Sequence, residues 1–159
     1  MSTRGLYGYI ENGEYSADYN HSDSYPSGLG LEFFISCRDG DFSGYGQDRL
    51  LKFEISIDDQ NDISFIKESL FCEWAYFYDK DKKIFEIWRG FQKSPDPTNP
   101  FGQKTIDGYY PCKRIFSGKI DLLKEEYFIG NDTIEESIKM ITRDIKIDKI
   151  LKNETDTQI

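Results

Sequence analysis

Histidine is nearly absent from this sequence, with His21 the single example, and cysteine occurs three times, at Cys37, Cys72 and Cys112. There is no C-x-x-C pair, so the four-ligand sets of structural zinc sites are missing and no metal site is expected. Three widely separated thiols do not make the even, closely spaced framework of a disulfide-stapled secreted domain. They read as small buried apolar groups in a reducing cytoplasm. No stretch approaches the ~20 consecutive apolar residues of a membrane span, and the first residues lack the apolar core of a secretion signal. Cytoplasmic residence is the expectation. Positive charge is also short, with 20 Lys and Arg against 29 Asp and Glu and a formal charge of −9. Such a surface repels phosphate backbones and anionic lipid, which argues against nucleic-acid and membrane partners. Neither the phosphate-cradling G-x-x-x-x-G-K-[ST] nor G-x-G-x-x-G nor G-x-S-x-G occurs, and no cofactor is expected.

Aromatic residues are plentiful: 12 Phe, 11 Tyr and 2 Trp among 159 residues. That bulk disfavours disorder, and a chain of this length can bury about 70% of its unfolded surface in one core. No repeat or composition break divides it. A single domain is predicted over residues 1–151, followed by a polar tail over 152–159.

Asn12–Gly13 separates the aromatic-rich runs Leu6–Ile10 and Glu14–Tyr19. Both central positions of a type I′ turn need positive φ, so this dipeptide predicts a hairpin. Pro26 suits a first helical turn, and Leu31, Phe34 and Ile35 recur at helical spacing until Arg38–Asp39–Gly40 ends the pattern. Gly28 and Gly30 weaken that helix by about 1 kcal/mol each, a cost that makes sense where another backbone or a ligand comes close. Leu51–Ile57 alternates as a strand, and Ile63–Leu70 suggests one or two helical turns. Phe71–Tyr78 and Lys83–Trp88 predict a second hairpin across Asp79–Lys82. Ser94–Asp107, with Pro95, Pro97 and Pro100, reads as a long loop, and Tyr109–Lys119 as a further strand. Asp132 or Thr133 caps a last helix with an apolar stripe of Ile134, Ile138, Ile141 and Ile145. The expected class is α+β: an antiparallel sheet of two hairpins plus added strands, covered by an early helix and a carboxy-terminal amphipathic helix.

The densest polar cluster is Asn20–His21–Ser22–Asp23–Ser24–Tyr25, between the first hairpin and the first helix. Two chemical arrangements are open. In one, Asp23 orients His21 as an acid/base group and Ser24, Ser22 or Cys72 is the nucleophile. In the other, the cluster and the helix amides bind an anionic group, with Arg4 as a two-pronged clamp. Beside both stands a structural reading, in which Asp23 or Ser24 caps the helix. Glu73, on a partly buried strand, either pairs with Arg4 or acts as an acid of raised pKa. Strand alternation puts Cys72 with Trp74 and Tyr76, and Glu73 with Ala75. Removal of Met1 would make Ser2 an amino-terminal nucleophile. Asp39–Gly40–Asp41 lacks the spacing and terminal glutamate of a calcium loop.

Three stretches carry a resemblance. Thr3–Arg4–Gly5 resembles a T-R-G opening, Asn20–Gly30 resembles the signature N-H-x-D-S-Y-P-x-G-L-G, and Phe71–Tyr76 resembles a later F-C-E-W-x-Y run. Tyr78–Asp81, Gly90–Phe91 and Gly108–Cys112 extend the similarity. The chain is thus similar, over residues 3–112, to a set of small uncharacterised proteins of bacteria, their phages and some fungi. That resemblance brings no reaction with it. It implies a shared site at Arg4, Asn20, His21, Asp23, Ser24, Tyr25 and Glu73.

Two functions are expected from these readings. One is a small-ligand site for an anionic group, with a hydrolytic variant, where the first hairpin meets the first helix. Its catalytic residues are His21, Asp23, Ser24, Cys72 and Glu73, and its binding residues are Arg4, Asn20, Tyr25 and Gly28. The other is an acidic, phage-associated binding protein that inhibits a basic host partner, a defence or nucleic-acid-binding protein, by surface mimicry. The first requires His21, Asp23 and Arg4 to converge on one cavity.

Overall fold

The computed structural model describes residues 3–45, 72–95, 108–130 and 133–156. The strand expected at Leu51–Ile57, the helical turns at Ile63–Leu70, most of the loop at Ser94–Asp107, Ser2 and the capping Asp132 lie outside the described residues.

Strand β1 (Gly5–Glu11) turns through Asn12 and Gly13, at φ 53° and 81°, into β2 (Glu14–Asn20). Both turn residues occupy the left-handed region that a type I′ turn demands. A five-residue π-type turn, Pro26–Gly30, then leads into helix α1 (Leu31–Asp39), which Gly40 closes at φ 72°. Strands β3 (Trp74–Asp79) and β4 (Ile84–Arg89) form the second hairpin. Its turn is held by the buried Asp79 carboxylate, which accepts the amide hydrogens of Asp81 and Lys82 at 3.1 and 3.0 Å. Strand β5 (Lys113–Lys119) follows, then two short 3-10 turns, Ile120–Leu122 and Glu125–Phe128, and helix α2 (Thr133–Asp156). Helix α2 continues past Leu151, where the polar tail was expected to begin, because Lys152 and Glu154 are as good helix formers as the residues before them.

The α+β class holds, with one correction. Among the described residues the sheet runs β2-β1-β3-β4-β5, and β1 lies parallel to β3 in an otherwise antiparallel sheet. The two hairpins join along their inner strands because the connection from β2 to β3 carries α1 across the sheet. Only a long crossover of this kind can set two strands parallel. Hairpin signals report local pairing and are blind to this seam.

Parallel register aligns Tyr7 with Tyr76, and the antiparallel registers continue that row to Ile87 and Phe116. This face of the sheet packs against Phe33, Phe34 and Cys37 of α1, then Phe128, Ile134, Ile138 and Ile141. Phe34 stacks on Phe128 with centroids 4.8 Å apart. Burying each such ring contributes about 2–3 kcal/mol, so this face supplies much of the cohesion. The opposite face buries Leu6, Ala17, Ala75, Phe77 and Trp88 together with Cys72 and Cys112. Cys72 therefore does not share a face with Trp74 and Tyr76. Strand β3 starts only at Trp74, after a bend at Glu73, so the two-residue alternation does not reach back to Cys72.

Candidate functional site

The start of β1 is where three segments are stitched together. The Ser24 amide donates to the Thr3 carbonyl at 3.1 Å, the Glu73 amide to the Arg4 carbonyl at 2.9 Å, and the Gly90 amide to the Glu73 carbonyl at 2.8 Å. Ser24 is fully buried. Its hydroxyl donates to the Asn20 carbonyl and accepts from the Asn20 amide group at 2.8 Å, while its carbonyl accepts the Tyr76 hydroxyl at 2.9 Å. Every polar group of Ser24 is thus spent on holding the junction closed, which is the work of a turn residue rather than a nucleophile. Asp23 sits at φ 56° and its carbonyl accepts the Leu29 amide at 2.9 Å. A Cβ on Gly28 would lie 2.3 Å from that same carbonyl oxygen, and one on Gly30 would lie 2.8 Å from the Tyr76 ring. The two glycines therefore admit a backbone and a ring, as their cost suggested.

The exposed residues of the junction face different partners. The Tyr19 hydroxyl and His21 Nδ1 are 2.9 Å apart, and the Tyr25 hydroxyl donates to the Asp23 carboxylate at 3.1 Å. Imidazole and carboxylate each take a tyrosine rather than one another. Arg4 and Glu73 are brought together. Burial raises the Glu73 pKa, while the charges of Arg89 and Arg4 pull it down. Arg89 itself lies over the Trp74 ring at 4.2 Å and pairs with Glu135 at 3.7 Å, tying α2 to the sheet.

Cys72 is fully buried, and its thiol donates to the Trp74 carbonyl at 3.5 Å. A hydrogen bond with the Cys112 thiol, then burial, push its pKa well above the ordinary thiol value. A thiol so placed stays protonated and serves as core. Burial likewise pushes up Cys37. No group of three potential metal ligands occurs among the described residues. Asp41 instead accepts the Ser43 amide at 3.2 Å within its own loop.

Two features escaped the sequence reading. The first is Glu86, whose carboxylate is buried on the face away from the helices. It accepts from the Tyr15 hydroxyl at 2.8 Å, the Trp88 indole at 3.1 Å, Arg114 at 3.2 Å and the Ser117 hydroxyl at 3.3 Å. Its neighbours come from β2, β4 and β5, so no local pattern announces it.

The second is a cavity of about 720 Å³ at the far end of α1, opposite the hairpin–helix junction. It is walled by Cys37, Phe42, Tyr78 and Ile120, and rimmed by Arg38, Lys80, Lys83 and Lys119 with Asp39 and Asp121. Arg38 is committed to Asp39 at 2.8 Å and to Glu125 at 3.1 Å. Lys80 lies over the Phe42 and Tyr9 rings at 4.0 and 4.5 Å, and Lys119 donates to the Lys82 carbonyl at 2.8 Å. None of the three lysines has a carboxylate partner among the described residues. Arg4, Asn20, His21, Asp23, Ser24, Tyr25, Gly28, Cys72 and Glu73 all lie off this cavity. The Asp79–Lys83 stretch carries a visible signal, three lysines in one turn, but Lys119 joins them only through the β4–β5 pairing. Compared with known proteins, the chain matches no family model, no curated protein and no solved structure.

Proposed function

We propose that the protein binds a small anionic ligand, and that the ligand sits in the cavity at the end of α1 rather than at the hairpin–helix junction. One observation carries this reading: three lysines with no carboxylate partner among the described residues line a hollow of about 720 Å³ in a chain of formal charge −9. Lysines that meet no carboxylate among the described residues concentrate a local positive field in so acidic a protein, and such fields recruit anions. The volume is that of an ordinary small-molecule site, and Phe42, Tyr78 and Ile120 give it an apolar wall. The ligand class is therefore a compact phosphate- or carboxylate-bearing molecule with an apolar portion. Cys37 contributes a thiol to the lining, and burial keeps it protonated, so binding without thiol chemistry is the favoured form.

The test uses inorganic pyrophosphate and citrate as probes, in thermal-shift and calorimetric titrations of the wild type, Lys83→Glu and Lys119→Glu. A ligand at a hundred times its dissociation constant stabilises the native state by about 2.7 kcal/mol, which a melting curve resolves easily. Saturable stabilisation of the wild type, lost in both variants, is expected. Absence of any shift at millimolar probe overturns the reading and favours a protein acting through its acidic surface on a basic partner.

A further inference from the structure

Four tyrosines are buried on the face of the sheet that carries α1: Tyr7, Tyr9, Tyr76 and Tyr78. Three of their hydroxyls are spent inside the protein. Tyr7 donates to Asp18 at 3.1 Å, Tyr9 to the Tyr45 carbonyl, and Tyr76 to the Ser24 carbonyl at 2.9 Å. The Tyr78 hydroxyl alone meets no partner among the described residues, although only 5% of the residue is exposed. Packing does not ask for it, since Phe85, paired with Tyr78 across the β3–β4 hairpin, fills the adjoining position on this face with a plain ring. A buried hydroxyl without a bond costs stability, so its presence needs a reason. Among the described residues no wholly sealed polar side-chain atom lacks a partner, which means that the Tyr78 hydroxyl keeps contact with solvent. Tyr78 borders the cavity at the end of α1, and that hollow is the open space it reaches.

Charge and burial divide the work along the cavity. Lys83 and Lys119 are exposed at its rim, where an anionic head keeps much of its hydration. Lysines on one rim suit a dianion, which a phosphate monoester is near neutral pH and a single carboxylate is not. The Tyr78 hydroxyl belongs to the buried wall. Burial, the Cys37 thiol and the Asp79 charge raise its pKa, in that order, and keep it a neutral donor. A second anion at that wall would lose its hydration and meet the Asp79 charge, whereas an uncharged oxygen suffers neither penalty. We propose that Tyr78 is a specificity-determining residue of the anion site: it donates a hydrogen bond to an uncharged oxygen on the ligand's body, which narrows the ligand class to phosphate monoesters of small carbonyl or hydroxyl compounds. This rests on the anion-binding reading above and adds the inner contact to it. A hydrocarbon body of the same length would still pack on Phe42 and Ile120, but it would leave the hydroxyl facing a surface that cannot accept its proton. Tyr78 fixes the ligand's orientation, a task for which lysines, as flexible point charges, are poorly suited.

Calorimetric titration of the full chain with hydroxyacetone phosphate and n-propyl phosphate tests this, because the two probes share head and length and differ by one carbonyl. The wild type should bind hydroxyacetone phosphate about three- to tenfold more tightly, the worth of one neutral hydrogen bond. Tyr78→Phe should erase that preference by weakening hydroxyacetone phosphate alone, whereas Lys83→Glu should weaken both probes. Without ligand, Tyr78→Phe should melt at or above the wild-type temperature, since no internal hydrogen bond is lost. A lower melting temperature would give the hydroxyl a structural role and overturn the proposal. Equal affinities in the wild type, or a preference that survives Tyr78→Phe, overturn the role of Tyr78 and leave anion binding standing. If neither ester binds, the proposal fails as well, and pyrophosphate separates the two levels: its binding preserves the anion site, and its failure to bind removes that reading too.

Discussion

Replacing Gly30 with alanine sets two effects of known size against each other. Gly30 has helical dihedral angles, φ −56° and ψ −52°, so alanine would gain up to about 1 kcal/mol in backbone propensity. Its Cβ, however, would sit 2.8 Å from Cζ of Tyr76 and 2.9 Å from both Cε1 and the hydroxyl oxygen. The ring has nowhere to retreat. Tyr76 is fully buried, lies parallel to Trp74 at 6.4 Å and abuts Phe85 at 6.5 Å. Overpacking of this kind costs about 1–3 kcal/mol. If the ring tilts, its hydroxyl also leaves the Ser24 carbonyl, at about 1–3 kcal/mol for an orphaned buried acceptor. The clash outweighs the propensity gain, and Gly30→Ala should destabilise the fold by about 1–4 kcal/mol. Urea denaturation followed by the fluorescence of Trp74 and Trp88 measures it. Tyr76→Phe removes one of the three close contacts, so the double mutant should be more stable than the sum of the single losses implies. A Gly30→Ala protein as stable as the wild type, or a strictly additive cycle, would refute the reasoning.

Glu73 offers a test through pH. Burial outweighs the pull of Arg89 and Arg4, so the native state holds the Glu73 proton more tightly than the unfolded chain does. The resulting stability is complete below the unfolded carboxylate pKa of about 4.3 and drains away as pH rises through the higher native value. Glu73→Gln should therefore match the wild type near pH 4 and exceed it near neutrality in chemical denaturation. The opposite trend would mean that the arginines dominate. For Glu86, truncation to alanine strands the Tyr15 hydroxyl and the Trp88 indole, while Arg114, 42% exposed, rehydrates. A loss of about 2–4 kcal/mol is expected, and Glu86→Gln, which keeps an acceptor in place, should lose less than half of it. Equal losses in the two variants would show that charge rather than hydrogen bonding holds this cluster.

The sequence was most legible where structure is local. Asn12–Gly13 and Gly40 mark a turn and a helix end through backbone conformations that few other residues tolerate. The isoleucine stripe marks the buried side of α2 through its period alone. Pairings between distant segments were not legible, because nothing near Leu6 or Ala75 encodes that β1 and β3 run parallel. The same limit applied to the sites. Asn20, Asp23 and Ser24 stood out because they are adjacent in sequence, yet their structural work depends on Thr3, Leu29 and Tyr76. The cavity lysines went unseen because Lys119 and the Lys80–Lys83 turn share no pattern until the sheet forms.

The inner position of β1 has a consequence for synthesis. The first hairpin can close within microseconds of leaving the ribosome, but the strand that must cover its inner edge begins only at Trp74. At about 5–20 residues per second, the 53 residues between Asn20 and Trp74 take about 3–10 s to emerge. For that interval a nascent edge bearing Leu6, Tyr7 and Tyr9 waits without its neighbour, open to strand exchange with other chains on the same message.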